Sequence, residues 1–363
     1  MLNMEKLDCR SLLETDLTQI CLENNLKKFR ANQVFQWVQQ KGAHHWQEMK
    51  NIGQEDQKKL AQVLSLEPLA IKRVQSSSDG TRKFLFGLAD GENIETVLMD
   101  YENIFSRDRH TICLSTQVGC PVGCSFCATG MAGFRRNLQV GEITGQVLEV
   151  MRKMQEEDPD FKVTNIVFMG MGEPLLNYEA VRKAIQILNS PNGQNIGMRR
   201  MTISTSGVVP NIIELAKDNP QVGLAISLHS VQDEVRDKLV PMNKKYPIAR
   251  LMEACREYSA LTNRRITFEV ALNNQNATRV EAVGLVKLLQ GMLAHVNLIP
   301  VNPVEGSKVK RAKREEVARF KKVLETGGIP FSVREEKGVD IDAACGQLRQ
   351  RVECERNESV DQI

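Results

Sequence analysis

Hydrophobic and polar residues follow three different patterns along the chain, and each pattern predicts a different kind of structure. Within residues 1–75, apolar side chains recur at helical spacing in three stretches, at 12–21, 34–38 and 60–64. Recurrence at i, i+3 and i+4 is typical of amphipathic helices that share a small core. We therefore predict a helical N-terminal accessory domain over residues 1–75.

The pattern changes to strand-like runs between residues 69 and 100. The runs are interrupted at 89–93 by Ala-Asp-Gly-Glu-Asn, a stretch of turn-forming residues. Two such runs around a short polar turn predict a β-hairpin. We assign residues 76–100 to this hairpin, which would link the helical domain to the rest of the chain.

From residue 111 onward, short apolar runs alternate with amphipathic stretches. The predicted strands are 111–116, 163–169, 200–205, 222–228, 265–271 and 294–299, with a shorter one at 331–334. The predicted helices are 140–154, 178–189, 210–217, 248–260, 278–290 and 313–326. This alternation indicates an α/β fold with a parallel sheet. About six βα units are too few for the closed eight-stranded barrel. We therefore predict an open, partial βα barrel over residues 101–349 and a polar tail over 350–363, with a doubly wound sheet as the alternative.

Composition narrows the class of protein without identifying it. The 363 residues are 42% hydrophobic and 26% charged, which is ordinary for a globular protein, and the net charge is +3. No apolar run approaches the ~20 residues of a membrane span, and no apolar signal core follows the N-terminus. We expect a cytoplasmic protein that does not contact a membrane. Its nine cysteines, an odd number, argue for metal or redox chemistry rather than for a disulfide scaffold.

Three of these cysteines form the strongest motif. Cys120, Cys124 and Cys127 lie within eight residues, directly after the first predicted barrel strand. Three thiolates can hold three irons of a cubane and leave the fourth iron open to a ligand. A structural zinc site needs four ligands, usually in separated pairs, and no such set is evident nearby. We favour iron–sulfur over zinc and over simple buried thiols.

Polar residues also collect where successive predicted strands end. They are Gly170-Met-Gly172-Glu173-Pro174, Ser204-Thr-Ser-Gly207, Ser227-Leu228-His229 and Pro300-Val-Asn302-Pro303. Each motif alone has an ordinary explanation, since Gly-Glu-Pro can be a turn and a lone histidine is usually a core residue. Ligands of βα folds bind beyond the carboxyl ends of the strands, so four such clusters predict one shared pocket.

These motifs together resemble the RlmN/Cfr family of radical S-adenosylmethionine (SAM) RNA adenine methyltransferases. The resemblance rests on the motifs quoted above, on Thr111-Ile-Cys113-Leu-Ser-Thr and on Asp340-Ile-Asp-Ala-Ala-Cys345-Gly-Gln-Leu348, and it covers about residues 90–350. The helical N-terminal domain and Ile94-Glu95-Thr96-Val97 resemble the RlmN branch. That branch methylates C2 of an adenine in 23S rRNA and in tRNA, so the N-terminal domain would be RNA-binding-like.

The resemblance implies a role for each matching residue. Cys120, Cys124 and Cys127 would bind a 4Fe-4S cluster. SAM would be contacted by Gly172, Glu173, Ser204, Ser227, Leu228, His229 and Asn302. Cys345 would carry the methyl group, Cys113 would resolve the product by forming a disulfide with Cys345, and Glu95 would be the general base.

At three of these positions, the sequence pattern without the family resemblance gives only weak support for a functional role. Cys113 lies in an apolar strand and would otherwise be a buried cysteine, and Glu95 would be a solvated strand residue. Cys345 lies in a loop of small residues, where burial is less expected. The other four cysteines, Cys9, Cys21, Cys255 and Cys354, receive no role.

The expected partners follow from the same resemblance. They are 23S rRNA and tRNA, and an electron donor such as flavodoxin or ferredoxin, with the enzyme acting as a monomer. Residues 308–322 contain eight Lys or Arg against two Glu, which suits RNA phosphate contact or an ordinary solvated helix face. Two alternatives stay open: C8 methylation, as in the Cfr branch, and a non-catalytic iron–sulfur RNA-binding sensor.

Overall fold

The computed structural model of the protein describes residues 6–101, 109–334 and 337–348. The predicted helical domain is present at its N-terminal end. It comprises β1 (Leu7–Asp8), α1 (Glu14–Glu23), α2 (Phe29–Gln39), α3 (Gln54–Val63) and β2 (Leu64–Ser65). The two short strands pair in parallel and bring the ends of this domain together.

A separate apolar core holds the three helices together. Leu17 and Cys21 of α1 lie four residues apart and face Val34 and Phe35 of α2, and all four are buried. Side chains four residues apart lie on one helix face, so the apolar spacing in the sequence directly produces this contact. Burial raises the pKa of the Cys21 thiol, which keeps it protonated and unreactive.

The rest of the described chain is built around one ten-stranded sheet and a small ribbon. The strands are β3 (Ala70–Ser76), β4 (Arg82–Gly87), β5 (Asn93–Tyr101), β6 (Arg109–Cys113), β7 (Gln117–Gly119), β8 (Phe134–Asn137), β9 (Asn165–Phe168), β10 (Met201–Thr205), β11 (Gly223–Ser227), β12 (Ile266–Leu272), β13 (Ala294–Pro300) and β14 (Phe331–Val333). The sheet order is β14-β13-β12-β11-β10-β9-β6-β5-β4-β3, and β7 pairs with β8 in the ribbon. The sheet is parallel from β6 to β14, whereas the pairs from β3 to β6 are antiparallel.

Helices connect the parallel strands. They are α4 (Ala128–Met131), α5 (Val140–Gln155), α6 (Tyr178–Asn189), α7 (Val209–Asp218), α8 (Asp233–Leu239), α9 (Ile248–Thr262), α10 (Arg279–Leu289) and α11 (Arg314–Thr326). Single-turn 3₁₀ helices lie at Cys9–Ser11, Trp46–Glu48, Pro174–Asn177, Met198–Arg200, Pro241–Lys244 and Val339–Ile341. Seven parallel strands with six crossovers confirm the prediction of about six βα units. The sheet stays open because β14 and β3 form its two edges.

The predicted hairpin is confirmed as β4 and β5, and it is not a separate extension. Its strand β5 pairs with β6, so the hairpin and β3 continue the barrel sheet edge to edge. This pairing places one face of β5 beside the first barrel strand. The division of the chain at residues 75 and 100 stays a prediction, and the predicted tail at 350–363 lies outside the described residues.

The helical domain packs against α5 of the barrel. The Gly141 N–H donates to Ser11 Oγ at 2.8 Å, and a Cβ at Gly141 would lie 1.9 Å from an Asp8 carboxylate oxygen. Glycine is therefore required for this close approach. His44 Nε2 lies 2.9 Å from Glu149 Oε1 across the same interface. Burial lowers the pKa of His44 to about 4 and raises the pKa of Glu149 to about 7, so between these pH values the imidazole is neutral and the carboxyl holds its proton.

The described helices were also compared with the requirements of a membrane span. Within residues 6–101, 109–334 and 337–348, no helix has both the length and the apolar character needed to cross a bilayer.

Candidate functional site

A cavity lies beyond the carboxyl ends of the parallel strands, where the strand-end motifs were predicted to meet. It encloses about 1220 Å³ of space, including its open mouth. All the residues predicted to form the site line it except Glu95 and Leu228. Those lining it are Cys113, Cys120, Cys124, Cys127, Gly172, Glu173, Ser204, Ser227, His229, Asn302 and Cys345. Residues up to 232 positions apart in the chain thus share one cavity, because parallel strands end at the same edge of the sheet.

The three clustered cysteines are held by a loop, here called the cluster loop, that spans residues 120–127. The loop begins in the β7–β8 ribbon, where the Cys120 N–H donates to Gly133 O at 2.8 Å. Gly119 has φ +73°, and a Cβ there would lie 1.9 Å from Gly133 O, so only glycine fits. The loop ends at α4, and the Cys127 N–H donates to Cys124 O at 3.2 Å. Short-range backbone bonds therefore turn all three thiols into the cavity.

These thiols fit a cubane cluster. All three are free, and burial raises the pKa of each, with the value for Cys120 reaching about 12. Binding to iron supplies the positive charge that a buried thiolate requires. In residues 6–101, 109–334 and 337–348, no three or more His, Cys, Asp or Glu side chains converge on one ion. A cubane does not require such convergence, since each cysteine binds a different iron.

Part of the cavity wall is polar and fits the amino-acid part of SAM. Glu173 is buried, and one of its carboxylate oxygens accepts from the N–H and the hydroxyl of Ser206, both at 2.7 Å. Asn302 is also buried, and its Oδ1 has no partner within the described structure. A buried acceptor without a donor is costly, and a ligand that supplies an N–H group would satisfy it. The cavity therefore contains both a carboxylate and an open acceptor for a ligand ammonium group.

The backbone is so closely packed between β9 and Glu173 that positions 170 and 172 are occupied by glycine. A Cβ at Gly170 would lie 2.7 Å from Leu114 O, and one at Gly172, whose φ is +107°, would lie 2.7 Å from Gln117 Cβ. Both glycines let this turn lie directly against the segment after β6. That contact carries Glu173 into the cavity.

His229 follows β11 in a left-handed conformation, with φ +61°, which is unusual for a residue other than glycine. Its Nδ1 accepts from the Ala271 N–H at 3.0 Å, and its ring lies edge-on to Phe126 of the cluster loop. Burial lowers the pKa of His229 to about 3, so the ring is neutral. With Nδ1 accepting, the proton lies on Nε2, which makes that nitrogen a hydrogen-bond donor.

Leu228 does not line the cavity, and its carbonyl instead binds a buried arginine. Arg236 of α8 is fully buried and donates to the carbonyls of Leu228, Ser206 and Ser227 at 2.9, 2.6 and 3.1 Å. Its Nη1 donates to Asn243 Oδ1 at 2.8 Å. Arg236 thus joins the turns after β10 and β11, which carry several of the predicted SAM contacts.

Cys113 and Cys345 line the same cavity although they are far apart in the sequence. Cys113 is the last residue of β6 and is buried, whereas Cys345 projects from a turn and is exposed to the cavity. Both are free thiols, and burial raises the pKa of Cys113 to about 12. The turn that carries Cys345 is joined to the start of α4, where the Ala128 N–H donates to Gly346 O at 2.8 Å.

A guanidinium group lies beside Cys345. Arg334 Nη1 is 3.9 Å from Cys345 Sγ, and Arg334 Nη2 is 4.0 Å from Met99 Sδ. Surrounding protein raises the pKa of Cys345, while the positive charge of Arg334 acts in the opposite direction and favours the thiolate. Glu269, a buried carboxylate of β12, lines the same cavity and raises the pKa of this thiol.

Glu95 lies near the cavity without lining it. It is buried on β5 and forms an ion pair with Lys83 of β4, with Nζ 3.1 Å from Oε1. Its side chain shares a strand face with Val97 and Met99, both of which line the cavity. The structure therefore contradicts the interpretation of Glu95 as a solvated strand residue. Its predicted role as a base stays a prediction.

Sequence reasoning missed three charged residues of the site: Arg236, Glu269 and Arg334. Glu269 had a visible signal, because it is a lone carboxylate in the apolar run Ile266–Leu272. The two arginines gave no such signal in the sequence, because arginines in similar sequence surroundings are usually exposed. Among the cysteines without a predicted role, Cys9, Cys21 and Cys255 are buried in cores, and Cys354 lies outside the described residues.

Comparison with known proteins matches two parts of the chain to family models. The family model for the radical SAM superfamily matches residues 114–284. The model for the ribosomal RNA large subunit methyltransferase N-terminal domain matches residues 8–66. The chain is 64% identical over 356 residues to a probable dual-specificity RNA methyltransferase RlmN of Desulfitobacterium hafniense (strain Y51), covering 98% of this chain and 100% of the relative.

Two more relatives agree with this result. A probable dual-specificity RNA methyltransferase RlmN of Heliobacterium modesticaldum is 47% identical and covers 94% of this chain and 89% of its own. The crystal structure of a radical SAM methyltransferase from Sphaerobacter thermophilus superposes with a TM-score of 0.89 at 45% identity, covering 94% of this chain and 99% of that one. Sequence and fold are therefore similar to the same class of protein over nearly the whole chain.

Proposed function

Since the chain belongs to the RlmN family of the radical SAM superfamily, we propose that it methylates C2 of adenine in 23S rRNA and in tRNA. The observation that carries this proposal is the meeting of five cysteines in one cavity: Cys120, Cys124 and Cys127 of the cluster loop, together with Cys113 and Cys345. A cluster needs only the first three. Two further thiols in the same space fit a methyl carrier and the thiol that releases the product.

The cofactors are a 4Fe-4S cluster and SAM. Cys120, Cys124 and Cys127 would hold the cluster, and Glu173, Asn302 and the turns after β10 and β11 would hold SAM. When bound, the pair supplies a methyl group and, after one-electron reduction, a 5′-deoxyadenosyl radical. This chemistry suits adenine C2, because that carbon is electron-poor and cannot displace a methyl group from SAM directly.

Cys345 is the proposed methyl carrier. Its thiolate is the reactive form, and Arg334 at 3.9 Å favours that form by its positive charge. Exposure to the cavity leaves the sulfur open to a methyl donor and then to an adenine. We assign Arg334 the task of stabilising this thiolate.

Glu95 and Cys113 would complete the reaction once the carrier carbon is joined to C2. Glu95 would remove the C2 proton, for which it must first exchange its partner Lys83 for substrate. The Cys113 thiolate would then attack the Cys345 sulfur: an S–S bond forms, the S–C bond breaks, and the leaving carbon takes the electron pair. That carbon then takes up a proton, which protonated Glu95 can return, and becomes the methyl group of the released base. A reductant must reopen that disulfide before the next cycle.

The position of the cavity requires the target adenine to move relative to the rest of the RNA. The cavity lies at the end of the barrel, so the adenine must leave its stack, either by extrusion or within a single-stranded loop. We further propose that the enzyme acts as a monomer in the cytoplasm, where its RNA substrates are found. Its electron donor would be a small redox protein such as flavodoxin or ferredoxin.

Nucleoside analysis by mass spectrometry tests this function. Reconstituted, reduced protein is incubated anaerobically with SAM and with unmodified 23S rRNA or tRNA, and the RNA is digested. We expect 2-methyladenosine in both RNAs and none with Cys345→Ala. Formation of 8-methyladenosine alone would show the C8 reaction instead, and methylation by the Cys345→Ala variant would refute the carrier mechanism. A protein that binds cluster and RNA but never methylates would be an iron–sulfur sensor.

A further inference from the structure

Two chain segments that differ in chemistry adjoin the cluster loop. One is α4 and the start of β8, where Met131 and Phe134 are each 45% exposed. The other is the segment 306–310, which carries exposed Lys308 and Lys310. Neither segment is used by the methyl-transfer chemistry described above.

Both segments contact the cluster loop directly. The Met131 N–H donates to Cys127 O at 3.0 Å, so α4 begins at a cluster ligand. Ser307 Oγ donates to Ser125 O at 2.7 Å. Val309 is buried in a small apolar core against which Cys120 and Cys124 pack.

The two segments also meet each other. A Cβ at Gly306 would lie 3.3 Å from Met131 Cε, so the two segments are in contact at Gly306 and Met131. We call the surface formed by Met131, Phe134, Lys308 and Lys310 the cluster face.

We propose that the cluster face is the docking site for a small acidic electron-transfer protein of the flavodoxin type. This inference rests on the proposed function, which requires one electron per radical event. Small transient interfaces have an apolar centre and a charged rim. Lysines at the rim would attract an acidic partner and raise its association rate.

RNA is the competing polyanion, and two observations favour the redox protein. The exposed Met131 and Phe134 offer apolar area that phosphates cannot use, whereas RNA affinity comes mainly from phosphate contacts. Both segments of the face are also hydrogen-bonded to the cluster loop, which an incoming electron must reach. In the step itself, the reduced flavin loses one electron and the cluster gains it, with no bond made or broken.

Charge reversal tests the proposal on the intact holoenzyme. Lys308→Glu/Lys310→Glu is compared with wild type and with Lys58→Glu/Lys59→Glu, which makes the same charge change at exposed residues of α3 in the N-terminal domain. Three quantities are measured: flavodoxin affinity by calorimetry, the rate of cluster reduction by flavodoxin followed by electron paramagnetic resonance, and tRNA affinity. Dithionite, which needs no docking site, serves as the second reductant.

We expect flavodoxin binding and flavodoxin-driven reduction to fall by about tenfold at low salt in the Lys308/Lys310 variant only. The difference should disappear near 1 M salt, where the Debye length is about 3 Å. Reduction by dithionite should be unchanged in all three proteins. Phe134→Ala should weaken flavodoxin binding even at high salt.

Three results would overturn the proposal: equal flavodoxin reduction in wild type and variant, a wild type that flavodoxin does not reduce, or loss of tRNA affinity with flavodoxin reduction intact. The last would assign the face to RNA. Failure of the proposed function is a separate result, since it would appear as dithionite-reduced wild type that does not methylate RNA.

Discussion

Replacing Arg334 with Gln tests how the site activates Cys345. The substitution removes the positive charge 3.9 Å from Cys345 Sγ and keeps a polar side chain of related shape. A unit charge pair at this separation is worth about 4 kcal/mol at an effective dielectric constant near 20 and about 1 kcal/mol in bulk water. Because Cys345 is exposed to the cavity, we expect a value of about 1–2 kcal/mol, or roughly one pKa unit at ~1.4 kcal/mol per unit.

The direction of the change in the pKa of Cys345, and so in its methylation rate, follows from the charge of its thiolate. Without Arg334 the pKa of Cys345 rises further, and the thiolate fraction falls at every pH below that pKa. The rate of Cys345 methylation should therefore fall by about tenfold near neutral pH, in keeping with one pKa unit. It should recover toward the wild-type plateau as the pH increases.

Mass spectrometry of the Cys345 peptide gives the assay. Methyl incorporation from saturating SAM is followed in a single turnover across a range of pH, for wild type, Arg334→Gln and Arg334→Lys. The lysine variant keeps the charge, so its profile should lie close to that of wild type. Coincident profiles for the wild type and the glutamine variant would refute the reasoning, and a lower plateau without a shift would assign Arg334 a purely structural role.

Three more substitutions probe the rest of the molecule. Cys113→Ala should trap a covalent adduct between protein and RNA, visible on denaturing gels, whereas normal turnover would remove its assigned role. Arg236→Met should weaken SAM binding in calorimetry and lower the free energy of unfolding by about 3–5 kcal/mol, since three buried carbonyls lose their donor. Wild-type affinity would contradict this. Glu149 has a raised pKa, about 7, so its contribution to stability is complete below pH ~4.5 and is lost as the pH rises through 7. Glu149→Gln does not titrate, and urea unfolding should show it to be more stable than wild type by about 2–3 kcal/mol at pH 8, with no such gain near pH 4.5. Equal gains at both pH values would contradict the assignment.

Local patterns were sufficient for much of the fold. The run at 294–299 became β13, Ala294–Pro300, and the stretch at 140–154 became α5, Val140–Gln155. These elements follow from short-range periodicity, which decides which side chains can share a face. The first barrel strand was predicted to reach residue 116 but ends at Cys113, and beyond it only single hydrogen bonds join Leu114 to Val167 and Gly170.

Part of the candidate site could also be predicted from local sequence, and part could not. The spacing of Cys120, Cys124 and Cys127 predicted a shared metal centre, since three thiols within eight residues can be brought together by backbone turns alone. The burial of Glu95 and its ion pair with Lys83 could not be predicted from local sequence, because both depend on strand pairing. Arg334 could not be assigned, since it acts through residues distant in the chain. Glu269 was visible as a lone carboxylate in an apolar run, but its neighbours in the cavity were not.

By itself, the sequence determined most of the barrel's strands and helices, the order of the βα units and the family, because these depend on residue types at short, fixed spacings. It did not predict the β7–β8 ribbon, α4 or α8. Only the tertiary structure decided which residues meet. It placed Arg334 beside Cys345, left Asn302 Oδ1 without a donor, and joined Ser307, next to Lys308, to the cluster loop. The physical reason is that charge and hydrogen-bond energies fall steeply with distance, and distances between remote segments are set by packing of the whole sheet rather than by local pattern.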